Sequence, residues 1–510
     1  MNKIRQRRLA KRKSRIQYRL RDIDWSAQAE PMLRASNIQY ELSDRIRGLA
    51  SGGLGLIHRL ARRVGLIDEL NERVEVLKVH LPYSESDHVL NLAYNVLAGG
   101  TCMEDIELRR NDEVYLDALG AQRIPDPTTA GDFLRRFDRK DIESLMTAVN
   151  ETRLRVWRQQ PDSFFDEATI EADGTMATTD GECKEGMDIS YKGQWGYHPL
   201  VVTLAETKEV LYLTNRSGNR PSHEGAAARF DQALVLCRRA GFRKVKFRGD
   251  TDFSQSEHLD RWDAADVQFV FGFDSKPSLV KLAEALAGKA WKPLERPAKY
   301  EVRTEPRERP ENVKEAVVVE REFRNIRLVS EDVAEFDYSP GCCEQTYRMV
   351  VLRKNLSIEK GESRLFDEVR YFFYITNDRK SIASEIVFEA NRRCNQENLI
   401  AQLHGGVHAL RAPSNTLLSN WAYMVMTALA WNLKAWFALL LPEKGRWAER
   451  YRQEKQLVLK MEFKTFVNAF IQVPAQILRT GRRIVFRLLS WNRWQPVFFR
   501  AVDQLQGKLT

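Results

Sequence analysis

Cysteine is scarce in this chain. There are six in 510 residues, at positions 102, 183, 237, 342, 343 and 394. None falls into a CxxC or metal-finger spacing, so a zinc-finger reading has no support and the six read as reduced thiols of a cytoplasmic protein. Long apolar runs are missing as well. No stretch reaches the ~18 residues that would suggest a membrane span. The richest, WAYMVMTALAWNLKAWFALLLP (421–442), is interrupted by Asn432 and Lys434 and reads as a buried helix. The N-terminus carries positive charge with no apolar core behind it, so it does not read as a secretory signal. Internal repeats are absent, and the one biased tract is a basic block.

What is present is ordinary in bulk and uneven in place. Apolar residues make up 43% and charged residues 29%, as in a soluble globular protein. A chain of 510 residues is too long for one compact core, so two to four domains are expected. Residues 1–21, MNKIRQRRLAKRKSRIQYRLR, hold ten Lys or Arg and no acid, while the whole chain holds 80 basic and 70 acidic residues. This block alone equals the net charge of +10. It reads either as a solvated tail or as a polyanion-binding arm that gains affinity by releasing counterions from phosphates; its charge density favours the arm. Residues 443–500 add 13 basic residues against four Glu, mixed with Trp447, Trp491, Trp494, Phe498 and Phe499. That mixture suits a nucleic-acid backbone or an amphipathic packing helix equally.

Periodicity divides the rest. Residues 51–160 read helical. SESDHVLNLAYNVLAGG starts on a capping serine and stops on Gly99–Gly100, and PDPTTAGDFLRRFD places Pro and Thr ahead of a short helix offering Arg135 and Arg136. A helix-turn-helix module and a plain small bundle both fit this stretch. From EATIEADGT (167–175) the period changes to strands, and the order onward is β-β-β-α-β-α-β with a mixed sheet. Residues 276–370 alternate with turn residues and Pro and read as a strand-rich insertion. A strand (369–378) and one long helix (381–406) follow.

Three carboxylates stand out. Asp173 ends the first strand of the alternating region, Asp250 ends the strand after the first helix, and Glu397 lies in the long helix. Singly, each reads as a turn residue or a solvated helix residue paired with a neighbour such as Arg393. Together, at one edge of a sheet whose first and fourth strands are neighbours, three such oxygens can hold two hard divalent cations. Ions ~4 Å apart can activate an attacking oxygen and stabilise a leaving one in phosphoryl transfer. Among weaker candidates, Lys192, Trp195 and Tyr197 lie near Asp173, and Arg216 and Arg220 form a basic loop; Lys192, Arg216 and Arg220 are candidate phosphate contacts. Asp252 is a possible spare ligand, His223–Glu224 read as helix-start residues and His198 as structural.

IEADGT, FRGDTDF and NRRCNQENLI, in that order and with a strand-rich insertion before the last, resemble the DDE transposases (group 1) of bacterial insertion sequences. Within these, the pattern resembles the insertion-sequence family numbered thirteen-eighty. The likeness covers roughly residues 40–440. It implies an α/β fold: a ribonuclease H-like mixed-sheet catalytic core interrupted by a β-strand-rich insertion domain, with an N-terminal helical DNA-binding region. The corresponding division is 1–25 basic arm, 26–160 helical DNA-binding region, 161–275 first part of the core, 276–370 insertion, 371–440 last core strand and Glu-bearing helix, and 441–510 basic helical C-terminal region.

The resemblance implies that Asp173, Asp250 and Glu397 are the catalytic, metal-binding triad for two Mg²⁺ or Mn²⁺ ions, and that Arg393 contacts a DNA phosphate. Related chains carry Tyr and Lys where this one has Ala390 and His404, so His404 would contact DNA only when protonated; a helix-capping histidine is the other reading. The implied activity is cut-and-paste transposition, with double-stranded DNA (terminal inverted repeats and target) as partner. A homodimer on DNA, no membrane partner and a cytoplasmic, nucleoid-associated location are expected. A catalytically inactive DNA-binding descendant and a nuclease with the same core are the competing readings.

Overall fold

The computed structural model describes residues 3–19, 38–40, 46–296, 317, 320, 321, 324–360, 363–480 and 483–506. The expected alternation of 297–316 therefore lies outside the described residues, as do the two ends of the basic arm (1, 2 and 20–25).

The architecture is mixed α/β around one large sheet. Its strands are β1 Glu167–Gly174, β2 Leu200–Leu204, β3 Glu209–Thr214, β4 Lys244–Gly249, β5 Val267–Phe273, β6 Lys292–Pro293, β7 Arg324–Tyr338, β8 Tyr347–Lys360 and β9 Ser363–Thr376. In space they run β6-β7-β8-β9-β5-β4-β1-β2-β3. β1, β4 and β5 are parallel, and every other pairing is antiparallel. Strand alternation sorts the side chains of β1 and β4. Ile170, Ala172 and Phe247 face one way, where Phe247 packs on Phe230 of the helix Ala226–Ala240. Glu171, Asp173, Lys246 and Arg248 face the other. Residues 276–370 were expected as a β-strand-rich insertion. Their strands β7 and β8 and the start of β9 lie in the same sheet as the core, because the far end of β9 pairs with β5 (Phe373 with Phe273, Thr376 with Val270). Pro-rich alternation shows that strands exist but not which edge they join.

Three local expectations are corrected. The stretch 381–406 is two helices, Ala383–Asn391 and Cys394–Gly405, parted at Arg392–Arg393. The helix that His223–Glu224 were read as starting begins at Ala226, after Gly225. The C-terminal region, expected to be helical, contains the hairpin Ala475–Thr480 and Arg483–Leu488, and the short strand Gly48–Leu49 pairs with its first strand. In the basic arm, Lys3–Arg19 is a helix with no buried residue. Arg5 bonds Asp503 at 2.9 Å and lies over the Phe499 ring, and Arg12 bonds the Ser490 carbonyl at 2.9 Å, so the arm is braced on the C-terminal region.

The apolar stretch near 421–442 is the helix Leu417–Leu439, buried along nearly its whole length. It packs between the helices Glu85–Leu97 and Arg139–Trp157 and against β3, which explains apolar residues all round it. Among the described residues no helix is long and apolar enough to cross a membrane. β3 is an edge strand whose backbone groups need partners. Asn432 provides two: its Oδ1 accepts from Val210 N at 2.9 Å and its Nδ2 donates to Val210 O at 3.0 Å. Trp431 donates to Lys208 O at 2.6 Å. Beside them Glu209, 0% exposed, accepts from Arg153 Nε at 2.9 Å, Trp157 Nε1 at 2.8 Å and Trp436 Nε1 at 2.7 Å. One carboxylate thus joins the sheet edge to two helices.

Removing it strands a buried guanidinium and two indole N–H groups. Glu209→Ala is expected to cost about 3–5 kcal/mol of unfolding free energy, read by denaturant titration. A loss under ~1 kcal/mol would show that water replaces the carboxylate.

Candidate active site

Parallel pairing of β1 with β4 sets Glu171 opposite Arg248, so two residues further on both strands end at neighbouring carboxylates, Asp173 and Asp250. Asp250 also caps the next turn: it accepts from Asp252 N at 3.0 Å, starting a short 3-10 segment, Thr251–Phe253. The acid at the end of this strand therefore stops the strand and stays at its mouth. The next helix, Leu259–Ala264, comes later.

The helix Cys394–Gly405 lies across this edge, fastened at both ends. Near its start, Gln396 Nε2 donates to the carbonyl of Val201 at 3.1 Å, and Val201 is the β2 partner of Asp173. Near its end, His404 Nε2 lies 2.9 Å from Thr175 Oγ1. Glu397 is thereby held over the strand ends, in the helix's first turn and half-exposed. Arg393 Nη1 sits 3.5 Å from Asp250 Oδ2 and 3.4 Å from Glu397 Oε1.

The carboxylates sense one another. Burial, then the charge of Asp250, pushes Asp173 from 3.8 up to about 7; Arg393 opposes this and Glu397 adds to it. Asp250 is raised too, mainly by burial, against the pull of Arg393, with Asp252 and Glu397 adding to the rise. Such a group stays ionised together only beside a cation. Three carboxylates are the donor set that hard divalent ions take, so the residues fit a metal in kind. Their present spacing is wider than a metal cluster. Among the described residues no three His, Cys, Asp or Glu side chains stand close enough to hold one ion. The cation between Asp250 and Glu397 is the guanidinium of Arg393.

The other candidates are placed as follows. Arg216 is corrected: it is buried rather than presented to a phosphate. Its guanidinium donates to the carbonyls of His198, Pro221, Ser222 and Glu224 and so shapes the 216–224 loop. Burial lowers it to about 10, which leaves it cationic. Arg220 is exposed, 3.6 Å from Glu224. Lys192 was expected on a strand; it lies in an exposed turn between the short strands Asp188–Ile189 and Trp195–Tyr197, over the ring of Tyr191. His404 is half-buried, and burial holds it below the usual histidine range. It is therefore neutral near pH 7 and serves as a tie to Thr175.

Sequence reasoning missed Gln396, Thr175 and the pair Glu171–Arg248. The pair carried a signal: each charge stands two residues before a site Asp, on the same strand face. Gly174 lies close to the His198 ring: a Cβ there would come within 3.0 Å of it, so the ring would have to shift.

A family model described as Transposase DDE domain group 1 matches residues 47–509. The chain belongs to this DDE transposase family. Among solved structures, a cryo-EM structure of the piggyBac transposase synaptic complex with hairpin DNA is similar with a TM-score of 0.38 and 11% identity, over 91% of this chain and 87% of that one. No curated protein sequence matches.

The raised Asp173 gives a pH prediction. The folded chain holds a proton there that the unfolded chain has released, between the ordinary carboxylate range and about 7. Metal-free stability therefore falls as pH rises through that window. Asp173→Asn is expected to stabilise the metal-free protein at pH 8 by about 1–3 kcal/mol, with little gain at pH 4. A variant that melts below the parent at pH 8 contradicts this.

Proposed function

We propose that this protein is the transposase of a bacterial insertion sequence of the family numbered thirteen-eighty, cleaving DNA at terminal inverted repeats and joining the freed ends to a target. The observation that carries the reading is the meeting of Asp173 and Asp250 at adjacent parallel strand ends under the helix that bears Glu397. The strand order β3-β2-β1-β4-β5 supports a ribonuclease H-like core, and family membership supports the reaction class.

Asp173, Asp250 and Glu397 would hold two Mg²⁺ or Mn²⁺ ions. When bound, such ions supply activation of the attacking oxygen and stabilisation of the leaving one. The chain's own residues do the rest. Asp173 must lose its proton before it can act as a ligand, so occupancy rises with pH through about 7. Arg393 has to leave Asp250 and Glu397, and a DNA phosphate is the partner that would receive it. Arg220 and Lys192, both exposed, lie on loops able to meet the DNA backbone. The N-terminal helices and the Lys3–Arg19 helix would bind the repeat, and pairing two element ends calls for a homodimer on DNA.

Two measurements test this. With Mg²⁺ and labelled element-end DNA, the parent should nick and then join. Asp173→Asn, Asp250→Asn and Glu397→Gln should each lose more than the roughly 100-fold that outer-shell changes cost, while still binding DNA. Binding with no nick supports an inactive descendant, and nicking without joining supports a nuclease. Deleting residues 1–19 should weaken binding to any duplex and flatten its salt dependence by about 0.9 for each phosphate the arm had neutralised. An unchanged slope would return the arm to a solvated tail.

A further inference from the structure

We propose that Arg248 is a positioning residue that sets the mutual placement of Asp173, Asp250 and Glu397 by holding together the two strands that carry the aspartates and the helix that leads into the Glu397 helix. The inference rests on the reading of these acids as the metal-binding set.

The geometry is specific. Arg248 is only 3% exposed. Its Nε donates to Glu171 Oε1 at 2.8 Å, and its Nη2 lies 2.7 Å from the same oxygen. Its Nη1 donates to Glu389 Oε1 at 2.6 Å and to the Glu389 carbonyl at 3.2 Å. Each of these bonds lies on a segment that leads to one of the acids. Glu171 is two residues before Asp173 on β1. Arg248 is itself two residues before Asp250 on β4. Glu389 lies in the last turn of the helix Ala383–Asn391, just ahead of the break that starts the Glu397 helix. Two residues of strand span only about 6.6 Å of stiff chain, so a shift at the guanidinium is passed on to the carboxylates.

The alternative is a salt bridge that serves stability alone. Buried ion pairs do this poorly, because desolvation offsets most of their attraction. A hydrophobic side chain would fill the same space at lower cost, but it could not fix the directions of two carboxylates and a carbonyl together. A planar guanidinium can reach all three at once, and a lysine ammonium at that position cannot present the same fork. Lys246, 3.1 Å from Glu167 and 3.7 Å from Glu389, extends the ladder one step further from the site without touching Glu171. Arg248 and Lys246 thus join the same three elements, β1, β4 and the helix Ala383–Asn391, and Arg248 is the member nearer the acids.

The test is Mn²⁺ binding to the full chain without DNA, followed by electron paramagnetic resonance, alongside thermal melting. Arg248→Lys keeps the charge and loses the fork; Glu389→Gln breaks the link from the helix side. Each is expected to weaken Mn²⁺ binding by roughly 10–100-fold, the range for outer-shell partners of metal ligands. The Arg248→Lys melting temperature should stay within a few degrees of the parent, and metal-free binding to element-end DNA should be unchanged. Parent-like Mn²⁺ affinity in both variants overturns the proposal, even if both melt lower. Should Arg248→Lys fail to fold, Glu389→Gln decides alone. Asp173→Asn is the control for the underlying reading. If it binds Mn²⁺ as the parent does, the acids are not the ligands, and this inference falls with that reading. If it loses Mn²⁺ while the two positioning variants keep it, only this inference falls.

Discussion

Carboxylates brought together at the end of a buried sheet repel one another, and the form of this edge follows from how that repulsion is offset. Burial and proximity raise Asp173 and Asp250, so neither is comfortable as an anion without a nearby cation. Two guanidinium groups answer this at different depths. Arg393 lies among the acids, within 3.5 Å of Asp250 and Glu397. Arg248 lies beneath them in the sheet, where it neutralises Glu171 and Glu389. The upper group is half-exposed and can exchange partners. The lower one is enclosed and cannot. A functional edge needs both kinds: a fixed floor that sets spacing and an exchangeable charge above it.

A floor keeps its shape only if the sheet around it does. The far edge strand, β3, is closed by side chains rather than by another strand. Asn432, Trp431 and Arg153 bond its backbone, and Glu209 ties it to two helices. The helix Leu417–Leu439 then buries its other side against the N-terminal helices. The helical region expected to bind DNA therefore shares one hydrophobic core with the sheet. The other edge is lengthened by β7, β8 and β9, whose residues Val333, Val350 and Leu352 pack beneath the helix Ala383–Asn391. The insertion strands are thus part of what holds in place the helix that leads into the Glu397 helix.

Much of this was legible in the residues, for identifiable reasons. Strand alternation and cap residues marked β1 to β5 and the helices Glu85–Leu97 and Pro127–Leu134, because those signals are local. The buried helix was legible because its two polar interruptions were too few for a surface face; they are the Asn432 and Lys434 that bond backbone carbonyls inside the core. Pairing was not legible. Nothing local tells β9 to join β5, or Gly48–Leu49 to join Ala475–Gln476, since strand partners are chosen by the whole chain. The role of Arg216 was misread for a similar reason. A basic residue in a Gly- and Ser-rich loop looks solvated until the loop's own carbonyls are seen to fold back on it.

The break at Arg392–Arg393 shows how a local irregularity shapes the chemistry. The break makes Glu397 a first-turn residue of a new helix, and the N–H groups there stay bonded across the break: Asn395 N to Arg392 O at 3.0 Å and Gln396 N to Arg393 O at 2.8 Å. It also turns Arg393 toward Asp250, across from its own strand of the site. The three acids are therefore unequal by construction. Asp173 and Asp250 sit at strand ends where burial resists ionisation. Glu397 is 53% exposed, in the first turn of its helix. A site built this way leaves one acid open to solvent, while the two buried ones depend on a nearby cation to ionise together.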